Sequence, residues 1–421
     1  VIFQVVGKRG FYVRVLVAGG GIGGLAVALS LYDAGITEVT VIDAALRIRP
    51  LGLGISLLPH AVRELAELDL YHPIANLGVP LSGVAYPDRA ATRVVLAPRG
   101  QRAGFLWPHL SVHRGELQVA LLRAVYQRLG RSAVRTGSRL TGFDQDQHGV
   151  TAYFVDGEER PWQERADVLI GADGINSATR ATLLPDEGLP VAQPRILMRG
   201  TTRCVPFADG HTMIMTAHGE ARFMAHPIKP IDPRDGTTLT NWLAELPDRQ
   251  SAGELGDTGW NGPADLRRLT RVFRGWSIAG ADIGAMVKTP TEASGYPLVT
   301  RPPLDQWSFG RVTLLGDAAH PMYPYVLGGA SESIVDARVL ARSLASYQDP
   351  VEALEAYERA RLPLNKWLQL IGHGRVPRAA DASGPLTATE EIGGIIGAYG
   401  HLPGHDPAGL NERPSYSLAH A

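Results

Sequence analysis

Cysteine is nearly absent: Cys204 is the only one among 421 residues. An intrachain disulfide is therefore impossible, and a cysteine-ligated metal or iron–sulfur centre is not expected. The thiol has no neighbouring cysteine or activating signature and reads as inert, so a reducing, cytoplasmic address is the simplest expectation. Long apolar runs are missing as well. No stretch reaches about 18 uninterrupted apolar residues, so no transmembrane helix is expected. Charge of neither sign is in excess, with 41 Lys+Arg against 42 Asp+Glu and a formal net charge of -1. Such a balance offers no long-range field for nucleic acid or an anionic membrane, and no concentrated basic motif occurs. Internal repeats and low-complexity blocks are absent. The opening VIFQVVGKRGFYV is apolar and basic, but no separate hydrophobic core and small-residue cleavage site follow, so it reads as an extension of the chain. Nothing in the sequence fixes an oligomeric state. What remains is a chain long enough for two intimately packed domains and suited to a small, largely apolar ligand.

Residues 15–43 carry the strongest signal. The apolar run Val15-Leu16-Val17-Ala18 enters Gly19-Gly20-Gly21-Ile22-Gly23-Gly24, an apolar helical segment follows through Leu31, and Val39-Thr40-Val41-Ile42 leads to Asp43. A strand, glycine turn, helix and second strand ending in an acid form a dinucleotide-binding unit. Gly19 permits the tight turn, Gly21 lets the backbone approach a pyrophosphate, and Gly24 lets the helix pack closely on the sheet. The phosphates then sit over free N–H groups at the helix N-terminus. Asp43 falls twenty-four residues after Gly19, where a carboxylate can accept from both ribose hydroxyls.

Further along, Pro59 opens a helix through about Leu68, residues 78–108 read as short strands and turns, and a helix starts near His113-Arg114. Residues 150–155 and 168–170 are strand-like. The stretch from about 190 to 290 changes character, and reads as a sheet domain covering the first. Residues 311–315 return to a buried strand, followed by helices over about 331–346 and 350–371. The expected organisation is a discontinuous nucleotide domain (12–188 and 288–375), a sheet domain (189–287), and a glycine- and proline-rich tail or wrapping arm (376–421) to which no chemistry is assigned.

Two more strand ends follow the first motif in a set order. One runs Asp167-Val168-Leu169-Ile170-Gly171-Ala172-Asp173-Gly174 and continues to Arg180; the other is Leu314-Leu315-Gly316-Asp317-Ala318-Ala319-His320-Pro321. Arg114 stands between them and the opening glycines. This order resembles the single-component, FAD-dependent aromatic hydroxylases of the para-hydroxybenzoate and salicylate hydroxylase group, and within it the phenazine-carboxylate monooxygenases of pyocyanin biosynthesis. The resemblance spans roughly residues 13–375. It implies an α/β fold: a GR2-type, Rossmann-like FAD domain with a mixed β-sheet substrate domain. By the same resemblance Gly19, Gly21, Gly24 and Asp43 hold the ADP half of FAD, and Arg47 lies near the adenosine. Arg114 stands by the pyrophosphate, Asp173-Gly174 supports FAD and the NAD(P)H contact, and Asp317 reaches the pyrophosphate or ribitol. The implied chemistry is hydride transfer from NADH or NADPH to the flavin, reaction with O2 to a C4a-hydroperoxide, and attack by an electron-rich aromatic ring. No protein nucleophile is required, and no general base is assigned.

The run Pro324-Tyr325-Val326-Leu327-Gly328-Gly329-Ala330-Ser331-Glu332 departs from the group. Val326 stands at a usual glycine, Gly328 at a usual asparagine, and Glu332 at a common glutamine. If the backbone there needs positive φ, Val326 is costly and its side chain intrudes toward the ring; the alternative, which is favoured, is a local backbone adjustment with FAD retained. Gly328 and Gly329 remain as flavin contacts. For the substrate, Arg199, His226, Trp242 and Tyr296 are candidates. Trp242 and Tyr296 would supply an aromatic wall, His226 would bind a phenol or carboxylate, and His226 and Tyr296 are the only catalytic candidates. Met213 and Met215 alternate as one packed face of a strand. The expected activity is hydroxylation of an aromatic or polycyclic small molecule, with or without decarboxylation. The alternatives are flavin-dependent dehydrogenation or rearrangement without oxygen insertion, and a non-catalytic flavin- or ligand-binding protein.

Overall fold

Where the sequence runs apolar on both faces of a strand, a parallel sheet forms, because helices must cover both sides. In the computed structural model, which describes residues 13–50, 52–87, 93–248, 253–254, 262–372, 394, 406–412 and 415–416, Val15–Ala18 and Val168–Gly171 are buried at every position. They pair side by side in a six-stranded sheet ordered Ser308–Phe309, Val312–Leu314, Val168–Gly171, Val15–Ala18, Val39–Asp43, Val134–Thr136, parallel except for its first pair. Helices Ile22–Asp33, Arg114–Leu129 and Gly329–Ser346 pack together on one face around a core that includes Leu25, Leu29, Leu121 and Leu340. The other face is closed by an antiparallel meander, Ser138–Asp146, Gly149–Asp156 and Pro161–Ala166, through Leu140, Ala152 and Phe154.

The second layer is a mixed sheet of nine strands. Its order is Gly262–Pro263, Glu292–Thr300, Val191–Cys204, Thr238–Pro247, Ala221–Pro227, Thr212–His218, Gly83–Pro87, Val94–Pro98, with Gly253–Glu254 paired onto Val191–Cys204. Three of these strands come from outside residues 189–287: Gly83–Pro87, Val94–Pro98 and Glu292–Thr300. A smaller sheet, Gly54–Leu57, His109–His113 and Val79–Leu81, faces the large one. One face of the large sheet is sealed by Phe273, Ile283 and Met286. Met213 and Met215 pack on the other, with Leu81, Leu243 and Tyr325. Of the stretch beyond 375, the short helix Pro407–Glu412 docks on the first domain: Arg63 donates to the Leu410 carbonyl at 3.0 Å, and Leu106 N–H to Asn411 Oδ1 at 2.9 Å. The rest of that stretch lies outside the described residues, apart from 394, 406 and 415–416. Among the described residues no helix is long and apolar enough to cross a membrane.

Candidate cofactor and substrate site

A cavity of about 320 Å³ opens between the two layers. At one end its wall is backbone. Gly19 holds φ +105°, and a Cβ there would lie 2.3 Å from the Ala172 carbonyl oxygen. A Cβ on Gly24 would fall 1.9 Å from the Gly19 oxygen. Both distances forbid any larger residue, whereas no atom lies within 4 Å of the same point on Gly21. Gly21 caps the Ile22–Asp33 helix without a side-chain hydrogen bond, so the first-turn N–H groups stay open to an anion. Asp43 is fixed at the end of its strand by Gly20 N–H at 2.6 Å and Ala45 N–H at 2.8 Å. Arg47 is exposed and does not line the cavity.

Across the cavity mouth stand Arg114, Gly174, Gly316 and Asp317. The Gly174 and Gly316 backbones have φ +78° and +62°. Burial pushes the Asp317 carboxyl above its ordinary range, opposed by the charges of His320 and Arg114. Asp173 does not line the cavity. Its carboxylate folds the turn instead, accepting from Ser177 Oγ at 2.5 Å and from Thr179 N and Oγ1 at 3.0 and 3.1 Å. Gly328 and Gly329 line the cavity where the Gly329–Ser346 helix begins.

The other end is roofed by side chains from the large sheet. Its register sets Arg222, Glu245, Leu197 and Tyr296 in one row, Met224, Leu243 and Arg199 in the next, and His226, Asn241 and Thr201 in a third. Arg199 donates to the Gly54 carbonyl at 3.0 Å and to Tyr296 Oη at 3.5 Å; its buried Nε has no partner, and no carboxylate pairs with it among the described residues. Ser56 Oγ, also buried and lining the cavity, has no partner among them either. Tyr323 donates its hydroxyl proton to Glu245, which is held from its other oxygen by Arg195 and Arg222. Burial, then the Glu245 charge, drives the Tyr323 hydroxyl well above its ordinary range. Its oxygen is therefore left as an acceptor. Ser56, Tyr323, Glu245 and Asn241 carry no sequence signal of their own, because strand register places Ser56, Glu245 and Asn241, and the loop before Pro324–Val326 brings Tyr323 to them.

Four expectations are corrected here, for Trp242, His226, Val326 and Tyr296. Trp242 is no wall of the cavity: it points to the opposite face, packs near Phe223 and donates to Thr202 Oγ1 at 3.0 Å. Successive strand residues alternate faces, and Asn241 and Leu243 take the cavity side. His226 lines the cavity but both ring nitrogens are used. Gly54 N–H donates to Asn241 Oδ1, Asn241 Nδ2 to His226 Nε2, and Ser111 Oγ both accepts from His226 Nδ1–H and donates to the Pro227 carbonyl. Burial, then the Arg199 charge, lowers this imidazole to about 3, so it is neutral and cannot grip a carboxylate. Val326 does not carry the strained backbone. Positive φ falls on Leu327 at +65°, and the buried Val326 side chain packs against Leu368, away from the cavity. Tyr296 sits beside Arg199 rather than at the cavity lining.

The glycine cradle, the open helix N-terminus and the Arg114–Asp317 pair fit the pyrophosphate and polyol of FAD. Comparison with known proteins agrees. The FAD binding domain family matches residues 12–249 and 280–368. The phenazine 1,6-dicarboxylic acid hydroxylase PhzS of Lysobacter antibioticus is 40% identical over 359 residues, covering 83% of this chain and 86% of that protein. The salicylate hydroxylase of Pseudomonas putida is 30% identical over 380 residues, covering 83% and 82%. Among solved structures, a single-substitution variant of HpxO from Klebsiella pneumoniae complexed with FAD superimposes with a TM-score of 0.69 at 25% identity, covering 86% of this chain and 89% of that one. A cradle shaped for a dinucleotide and a family match over most of the chain lead to one statement: this chain belongs to the FAD binding domain family.

Proposed function

We propose that the protein is an FAD-dependent monooxygenase that uses NADH or NADPH and O2 to hydroxylate an aromatic or polycyclic acid. The observation that carries the substrate class is Arg199, a guanidinium on the cavity wall with no carboxylate partner among the described residues. An uncompensated, partly buried cation favours an anionic ligand group, and its open Nε with the unpartnered Ser56 hydroxyl offers two donors to a carboxylate. Met224, Leu243 and Leu327 give the apolar walls for a flat ring, and Tyr323 offers an acceptor to a phenolic or amine hydrogen. Bound FAD supplies electron transfer from the nicotinamide and activation of oxygen. The protein's part is to orient the ring by its acid group, keep water out of the chamber and hold the cradle rigid. Hydroxylation of a ring carbon with loss of its carboxyl balances as ring acid, O2, NAD(P)H and a proton giving phenol, CO2, NAD(P)+ and water.

Cytoplasmic location and lack of nucleic-acid or membrane partners belong to the same proposal. They rest on the single cysteine, the even charge balance and the need for NAD(P)H. The test is turnover of the FAD-loaded protein with phenazine-1-carboxylate and salicylate under 18O2. Substrate-stimulated NAD(P)H oxidation with one 18O in the product is expected. Oxidised product without label would make the protein a dehydrogenase, and ligand binding without NAD(P)H consumption would make it a binding protein.

A further inference from the structure

The polar side chains that line the cavity divide into those already engaged and those left open. At the cofactor end Arg114 stands with Asp317, whose charge acts on it. Bound FAD brings the negative charges of its pyrophosphate to the same end. Arg114 therefore has anionic company before any substrate enters. At the substrate end, Asn241 gives Nδ2–H to His226 Nε2 and accepts from Gly54 N–H. His226 gives Nδ1–H to Ser111 Oγ, and Tyr323 gives its proton to Glu245. Among the lining side chains, Arg199 Nε and Ser56 Oγ are the buried donor atoms without a partner among the described residues.

These two donors belong to one place. Arg199 Nη2 is tied to the Gly54 carbonyl at 3.0 Å. Ser56 follows Gly54 by two residues in the strand Gly54–Leu57 and so projects from the same face of it. A carboxylate has two oxygens, one for each donor. The charge of the lining is as limited as its donors. Its cations, among the described residues, are Arg114 and Arg199. Burial first, then the Arg199 charge, lowers His226 to about 3, so that ring adds no charge near neutrality. Arg195 and Arg222, one row further along the sheet, pair with Glu245 and do not line the cavity. Met224, Leu243, Met322 and Leu327 complete the walls with apolar surface. A second carboxylate held here would have Asp317 and the pyrophosphate as charged neighbours and no cation of its own. Taking such a group out of water without a partner is strongly unfavourable.

We propose that the substrate end is built for one carboxylate: it takes a ring monoacid, held by Arg199 and Ser56, and rejects a ring diacid. This deepens the reading of the cavity as the site of an FAD-dependent monooxygenase for aromatic acids, and rests on it.

The test is flavin spectral titration of the FAD-loaded protein at about pH 7.5, where ring carboxyls are ionised. The ligands are phenazine, phenazine-1-carboxylate, phenazine-1,6-dicarboxylate and the monomethyl ester of that diacid. Phenol, salicylate, 5-carboxysalicylate and its 5-methyl ester form a second series. In the series that binds, the monoacid should be tightest, with the uncharged ring and the diacid each at least about tenfold weaker. The monoester keeps the bulk of the diacid but one charge, and should bind within about threefold of the monoacid. A diacid as tight as the monoacid overturns the proposal. A monoester as weak as the diacid overturns it too, because size and not charge would then set the limit. Ser56→Ala should weaken the monoacid by about three- to tenfold and leave the uncharged ring unchanged. Equal loss for both removes Ser56 from the carboxylate site. Failure to bind FAD, or a flavin spectrum that no ligand of either series perturbs, sinks the functional reading itself, whereas a bound diacid in the FAD-loaded protein sinks only the single-carboxylate site.

Discussion

At the cofactor end the cavity is bounded largely by backbone: Gly21, Gly23, Gly174 and Gly316 line it, and Gly19 and Gly24 in the same turn sit where a single added carbon would strike a backbone oxygen within 2.3 Å. At the substrate end it is bounded by side chains drawn from four strands, Arg199, Leu243, Met224 and His226 among them with Ser56 from the facing sheet. The first end meets what is constant in a ligand, phosphate and polyol, mainly with backbone dipoles, to which Arg114 and Asp317 add two side chains. The second recognises what varies, by one unpaired cation, one hydroxyl acceptor and apolar walls. Fixed cofactor and changeable substrate thus meet different material within one cavity, mostly main chain at one end and side chains at the other.

Changes at the two ends should therefore fail in different ways. The largest effect is expected from Gly24→Leu, whose Cβ begins 1.9 Å from the Gly19 oxygen. The purified protein should carry no flavin absorption, with a cost beyond about 4 kcal/mol, and flavin retained at wild-type level would break the contrast. Acid should next loosen the substrate end. His109 and His226 sit at about 3 against an ordinary value of about 6.5, so the unfolded chain binds more protons than the folded one between those values. Stability is full above that window and is lost as pH falls through it, by up to about 1.4 kcal/mol per pH unit for each histidine. Melting temperatures from pH 7 to 4 check this, and His109→Leu should remove about half of the imidazole share. Arg199→Gln should weaken aromatic acids against their neutral parent rings by about 10- to 100-fold, as expected for a charged hydrogen bond of about 1.5–3 kcal/mol. Equal loss for both ligand types, seen by flavin spectral titration, would reduce Arg199 to a structural role. The smallest effect is expected from Val326→Gly: a loss of about 1–2 kcal/mol from the packing on Leu368, with no gain in FAD affinity.

The backbone end was readable because it demands particular residue types. Only glycine tolerates φ +105° beside the Ala172 carbonyl, and a Cβ on Gly24 would strike the Gly19 oxygen, so the requirement is written into the letters at 19 and 24. Trp242 shows why the other end was not. Its strand, Thr238–Pro247, is buried on both faces for nearly its whole length, so hydrophobic alternation gives no clue to which face meets the ligand. His226 is a residue whose type suggests chemistry but whose availability depends on Ser111 and Asn241, more than a dozen positions away in either direction. Val326 fails for a local reason: spacing locates the turn, but the left-handed residue is the next one, Leu327. The three outlying strands of the large sheet were likewise hidden, since pairing between residues 83–85 and 212–214 leaves no mark in either segment.

That pairing has a consequence for synthesis. Gly83–Pro87 and Val94–Pro98 form the sheet's end, and among the described residues their strand pairing to the rest of the sheet is the parallel one with Thr212–His218. A chain emerging from the ribosome displays this hairpin for more than a hundred residues before its partner strand exists. The hairpin is an open edge throughout that interval, with Val94 and Leu96 still facing solvent in the finished fold. Translation speed through residues 98–214, and any chaperone that holds the hairpin meanwhile, should thus govern how much of the protein is recovered in soluble form.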